Sequence, residues 1–325
     1  MQIWIRRFAL LLLPLGFLAV MVAAPLLSLA FYDGEGAWAE VVADDYMRLR
    51  LGWTVAQAVL TCVLVTALGV PAAWVLARMD FAGRRMVLRL LMLPFVMPTL
   101  VAGMGVLALF GAHGILAAGW QDTPWLLIYG NVFFNLPVLV RSAYQGFVRV
   151  PQARLLSAQS LGADAWRRFI WVEWPVVRAW VAGGACLVFL YCFSGFGLAL
   201  LLGGERFATV EVEIYRLVAY ELDMARASVL VWLVLAATAA AGGLYAYWSK
   251  RVAVDKSVSP LPPRAPVRAW EKWLTATVLA MLVLCCLLPL AAVWLKAAAA
   301  GSSWAVLLEA QTWAAVWNTV RFSAA

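Results

Sequence analysis

Long stretches without a charged side chain alternate along this chain with short basic or acidic ones. The uncharged runs cover 8–32, 51–77, 90–121, 123–140, 179–204, 227–249 and 273–295. Each reaches about 18–20 residues, the length a helix needs to cross the hydrocarbon core of a bilayer. They predict spans at 8–31, 53–77, 90–111, 124–142, 176–202 and 227–249, and a seventh at 273–295.

The polar interruptions order these spans. Arg6 and Arg7 precede the first, and Arg78, Arg84, Arg85 and Arg89 follow the second. Arg149, Arg154, Arg167, Arg168 and Arg178 separate the fourth from the fifth, and Lys250, Arg251, Lys256, Arg264 and Arg268 follow the sixth. The other connections are acidic: Asp33, Glu35, Glu40, Asp44 and Asp45, the turn at Asp122, and the stretch 203–226. Basic loops stay on the cytoplasmic side, so the pattern predicts a multi-pass protein with a cytoplasmic N-terminus. The first run is longer than the apolar core of a signal peptide and is expected to remain as an uncleaved span.

Composition narrows the class further. Hydrophobic residues make up 65% and charged ones 13%, against about half and a quarter in soluble domains. The net charge of +8 follows from topology and does not call for nucleic acid. The five cysteines, Cys62, Cys186, Cys192, Cys285 and Cys286, all sit in apolar runs and read as packing residues. His113 is the single histidine, so no histidine-based triad or multi-histidine metal site can form. No phosphate-binding G-x-x-x-x-G-K-[ST] loop occurs. No catalytic residue, metal site or bound cofactor is therefore expected, and any energy source lies in another chain.

Past the sixth span the layout begins again. The segment 250–272 holds Ser257, Ser259, Pro260, Pro262, Pro263 and Pro266, too many prolines for a helix. Trp53-Thr54-Val55 opens the second span, and Asn318-Thr319-Val320 stands at the corresponding place after the seventh. The expected organisation is one complete six-helix repeat over 1–249, a Pro-rich linker over 250–272, and the start of a second, truncated repeat over 273–325. Two full repeats at that period would need on the order of 530 residues.

The segment 149–175 is the chemically informative one. Its charges interleave with apolar residues, Pro151 can open a short helix, and Gly162 can turn the chain at positive φ. Taken alone, it fits an amphipathic stretch lying along the membrane, with or without a partner. Leu156, Ser157, Ala158, Gly162, Val172, Trp174 and Pro175 fall on the spacing E-A-A, three residues, G, nine residues, I-x-L-P. In that spacing the segment resembles the coupling loop of binding-protein-dependent ABC importer permeases. It departs from the family at Leu156, where the family has Glu, at Ser157 for Ala, and at Trp174 for Leu. The stretches Leu93–Gly105, Phe193–Gly204, Thr209–Leu217 and Glu221–Leu235 also look like this family, within the subgroup that fuses two permease halves.

The resemblance implies an all-α polytopic membrane protein with the type I ABC importer transmembrane domain, in the bacterial inner (cytoplasmic) membrane. It also implies a pair of cytoplasmic ABC ATPase subunits that bind ATP and Mg, none of which this chain would bind. A periplasmic solute-binding protein would dock on the outward loops 33–51 and 203–226. Within the subgroup the likeness leans to thiamine importers, with ferric-iron permeases as siblings. A stand-alone secondary transporter or channel would need ionisable residues deep inside the spans, and the charge-free runs argue against that. A membrane enzyme would need a polar constellation that is equally missing.

Several residues inside the spans are further candidates. Asn131 and Asn135, four apart on span four, share a face that must look inward. They either line a solute pathway or bond a neighbouring helix. Tyr191, Phe193, Ser194 and Phe196 could offer aromatic and polar contacts to a cationic solute, or simply pack. Pro94 and Pro98 should break or kink span three. Gly103, Gly105, Gly183, Gly184, Gly195 and Gly197 should let helices approach closely.

Overall fold

In a computed structural model of the chain, residues 14–31, 36–116, 119–121, 123–251 and 260–324 are described. Residues 8–13 of the first expected span, the turn at Asp122 and residues 252–259 of the linker lie outside them. The described residues are helical, apart from turns and two isolated bridges. Five helices are long and apolar enough to span: α3 (Asp45–Arg78), α7 (Pro124–Val148), α9 (Ala165–Phe193), α12 (Met224–Lys250) and α13 (Ala269–Ala298). They follow α1 (Pro14–Leu29) and the short α2 (Ala37–Ala43).

The third expected span is not one helix. It is α4 (Arg84–Leu90), α5 (Leu93–Val96) and α6 (Thr99–Phe110), and the chain bends by 104° between Val96 and Thr99. Met97 has ψ 147° because the ring of Pro98 pushes the preceding residue out of helical geometry.

The fifth span also departs from expectation. A separate short helix followed by a span over 176–202 is replaced by one helix, α9, which begins at Ala165 and stops at Ser194. The rest of the run forms α10 (Phe196–Leu202). Continuity through Pro175 depends on a wide π turn at Phe169–Glu173. The same device precedes Pro25, after Ala19–Ala23, and Pro289, after Val283–Leu287. Proline lacks the N–H for a bond to residue i−4 and clashes with that carbonyl, and a widened turn removes the conflict without breaking the helix.

The centre of the bundle is α3, α7 and α9, joined by buried Val65, Leu76, Leu136, Val140, Phe147 and Val177, with α12 laid against α9. A second apolar cluster, including Val106, Phe133 and Leu202, joins α6, α7 and α10. Of the six glycines named above, Gly103, Gly105, Gly184 and Gly197 do lie where a Cβ would collide with a neighbouring element, whereas Gly183 faces Tyr245 at ordinary distance and Gly195 faces only its own turn. At Gly105 the obstacle is backbone, the Pro289 carbonyl oxygen of α13, 2.7 Å from where a Cβ would stand. The seventh apolar run is thus docked on the broken third span. Beyond it come a 3₁₀ stretch, Gly301–Leu308, and α14 (Ala310–Ala324), both without buried residues.

The acidic loop 33–51 is mostly helix in its described part. Asp44 Oδ1 accepts from Tyr46 N at 2.8 Å and caps α3, so α3 starts eight residues before the expected span at 53.

Candidate functional site

The segment between α7 and α9 forms an exposed ridge. Pro151 starts α8 (Gln152–Ser160), and Leu155 is its only buried side chain. The chain then reverses at Gly162, whose φ of 81° lies in the left-handed region that costs other residues dearly. Gly162 N donates to Gln159 O and Ala163 N to Ala158 O, both at 3.0 Å, which closes the end of α8. Asp164 Oδ1 accepts from Arg167 N at 2.7 Å and opens α9. Of the residues expected to contact a partner, Leu156, Ser157, Gly162 and Pro175 are exposed, while Ala158, Val172 and Trp174 are half-buried. Val172 and Trp174 pack against the core. Leu161, Trp166 and Trp171 stand out furthest, at 88%, 69% and 77% exposure.

The ridge is rooted in the bundle by a group the spacing argument did not weigh. Glu173 is buried and salt-bridged to Arg78, the last residue of α3, at 2.8 Å. Trp74 Nε1 donates to the other oxygen of Glu173 at 2.9 Å, and Arg78 also donates to the Phe147 carbonyl oxygen at 3.1 Å. One carboxylate therefore ties α9 to α3, and through Arg78 to α7. In sequence the signal is faint: one acid at the start of one apolar run and one arginine at the end of another.

The linker joins this end of the bundle. Asp80 N donates to Arg264 O at 2.8 Å, Arg264 N to Arg78 O at 3.0 Å, and Pro260 bridges to Pro151. Arg264 also pairs with the buried carboxylate of Glu271, and Trp270 stacks on Trp74 with ring centroids 6.1 Å apart.

At the opposite end, the two acidic connections meet in one platform. Arg50 donates to the carbonyl oxygens of Glu205 (2.6 Å) and Arg206 (2.7 Å), and Trp53 Nε1 to that of Phe207 (2.8 Å). Val210 N, at the start of α11 (Val210–Arg216), donates to Thr54 Oγ1 at 3.0 Å, and Tyr46 OH to Glu213 at 3.1 Å. Asp223 caps α12, and the backbone N–H and guanidinium of Arg226 hold its carboxyl below the usual range.

Within the spans, Asn131 and Asn135 are buried. Asn131 Nδ2 donates to Gln57 Oε1 at 2.8 Å, and Asn135 Nδ2 to Asn131 O at 3.0 Å and Cys192 Sγ at 3.3 Å. Gln57 Nε2 reaches the Cys192 carbonyl at 2.9 Å. These amides join α3, α7 and α9. Phe193 is buried and stacks on Phe189, whereas Tyr191, Ser194 and Phe196 are exposed. Tyr191 lies 5.4 Å from Phe95, beside the break in span three, and Phe196 lies 5.4 Å from Tyr215.

The sequence profile of the family described as binding-protein-dependent transport system inner membrane component matches residues 66–254. The chain belongs to this family. The match takes in the ridge, Arg78 and Glu173 and stops short of Arg264, Glu271 and α13. Thiamine transport system permease protein ThiP of Salmonella typhimurium (strain LT2) is 31% identical over 320 residues, 95% of this chain and 58% of that protein. ThiP of Brucella abortus (strain 2308) is 35% identical over 239 residues, 70% of this chain and 44% of that protein. The chain thus spans about half the length of these relatives. In fold it is similar to a crystal structure of a bacterial ABC transporter that imports alginate, with a TM-score of 0.65 at 15% identity, covering 78% of this chain and 98% of that one.

Proposed function

We propose that this chain is the membrane-spanning permease part of an ATP-driven ABC importer, and that the solute is thiamine. The observation that carries the reading is the ridge at Gly162, exposed at its tip and rooted in three spans by Glu173 and Arg78, inside the segment that matches the importer family. A transport subunit needs such a lever, because ATP and Mg are to be held by separate cytoplasmic ATPase subunits that would grip α8 and the turn. Movement of the ridge then carries α3, α7 and α9 with it, since the buried ion pair does not let them slide independently. The basic end of the bundle faces the cytoplasm on this reading, and the N-terminus with it. The platform of Arg50, Phe207 and Val210 faces outward, where a periplasmic solute-binding protein would dock.

Thiamine is supported by the two relatives named above. Disrupting the gene should abolish uptake of labelled thiamine at low external concentration and leave iron and sulfate uptake intact. An affinity-tagged chain should bring down an ABC ATPase subunit from its own membranes. Unchanged thiamine uptake would remove the solute assignment, and a chain that purifies without an ATPase would remove the importer reading itself.

A further inference from the structure

We propose that the basic end of the bundle carries a binding site for an anionic phospholipid, with the phosphate among arginines of a cavity and an acyl chain along an adjoining apolar groove. The cavity, about 500 Å³, lies between α8, the root of α9 and the extended linker 260–268. Four arginines line it, Arg78, Arg168, Arg264 and Arg268, against two carboxylates, Glu173 and Glu271. Both carboxylates are already engaged, Glu173 by Arg78 and Trp74, Glu271 by Arg264 and the backbone N–H groups of Val267 and Arg268. The charges of Arg168 and Arg268 are left without a carboxylate among the described residues. Arg168 donates to the neutral Gln159 Oε1 at 3.1 Å.

A second observation points to a missing acceptor. Arg78 is 6% exposed, and its Nη1 has no hydrogen-bond partner among the described residues. A buried donor left unpaired is costly, and Arg78 is one of the residues lining the cavity.

The groove decides which anion. It measures about 370 Å³, shares Trp74, Ala165 and Trp270 with the cavity, and continues over Val70, Pro71, Phe169 and Leu274. Its lining side chains are all apolar, and the stacked Trp74 and Trp270 stand at the junction. Tryptophan between an apolar wall and a basic one is the arrangement expected at headgroup depth. A free phosphate would use the arginines and leave the groove without purpose. A zwitterionic phospholipid would bring an ammonium group toward two uncompensated guanidinium groups. The site stands whichever solute the protein carries.

Native mass spectrometry of the detergent-purified chain, with phosphatidylglycerol and phosphatidylcholine added in equal amounts, tests this. The wild-type chain should retain phosphatidylglycerol in preference by about tenfold or more, the scale expected of two arginines near a bound anion. Arg168→Gln with Arg268→Gln should erase the preference. Because both side chains reach solvent, the double variant should keep the wild-type melting temperature. Should it not, Arg268→Gln alone is read, with partial loss expected. Trp270→Ala should weaken retention of long-chain phosphatidylglycerol more than of a short-chain analogue. Equal retention of the two lipids by the wild-type chain, or undiminished preference in the arginine variants, would overturn the proposal. Displacement of phosphatidylglycerol by millimolar inorganic phosphate would assign the arginines to a soluble anion and overturn it as well.

Discussion

Glu173 and Gly162 in the ridge illustrate how differently a single position can matter. Glu173 and Arg78 are both buried and hold each other's charge. Removing one partner leaves an uncompensated charge, which costs about 3–5 kcal/mol. Replacing both with apolar residues of similar size is often close to neutral. Glu173→Gln should therefore lower the melting temperature of the detergent-solubilised protein sharply, and Glu173→Leu with Arg78→Met should recover most of the loss. If the double variant melts no higher than the single one, the pair is not what holds α9 to α3. Gly162 acts through backbone alone: nothing lies within 4 Å of where its Cβ would be. Gly162→Val should impose about 1–2 kcal/mol or more of left-handed strain and re-aim the turn, leaving the spans inserted. On the importer reading, membrane levels should stay near normal while ATPase co-purification and uptake are lost. Full co-purification with this variant would reduce the ridge to an interfacial helix.

At the scale of elements, the bundle depends on close approaches that one methyl group could spoil. Where α13 crosses α6, a Cβ on Gly105 would lie 2.7 Å from the Pro289 carbonyl oxygen, and backbone cannot yield as a side-chain tip can. Gly105→Val should push α13 off the broken span, at about the 1–3 kcal/mol typical of overpacking. Cysteines placed on the facing surfaces of the two helices should crosslink in the wild-type background and fail to do so in the variant. Persistent crosslinking would mean that α6 shifts instead.

For the molecule as a whole, the charge pattern commits the two ends of the bundle to opposite sides of the membrane. Reporter fusions after Arg85, Arg168 and Arg264 should read cytoplasm, and fusions after Glu40 and Gly204 should read outside. One reversed site would break the six-span order, because it would change the parity of the crossings that separate it from its neighbours. The bend of 104° in span three adds a condition: α4 and α6 must still deliver the chain from the basic end to the acidic end between them.

The sequence by itself marked the apolar segments, predicted their sidedness and singled out the ridge. All three rest on local quantities: run length, loop charge, and the spacing of Gly162 and Pro175 along one stretch of chain. It also placed Asn131 and Asn135 on an inward face, because a polar amide in lipid has no other refuge. Tertiary structure alone showed what they bond, since Gln57 and Cys192 come from other helices. It also decided that the fifth span continues out of the ridge as one helix, with a wide π turn at Phe169–Glu173 ahead of Pro175. The pairing of Glu173 with Arg78, 95 residues apart, the joining of the two acidic connections, and the seating of α13 on Gly105 were invisible for the same reason. Each is a contact between distant parts of the chain, and its free energy comes from burying two surfaces together.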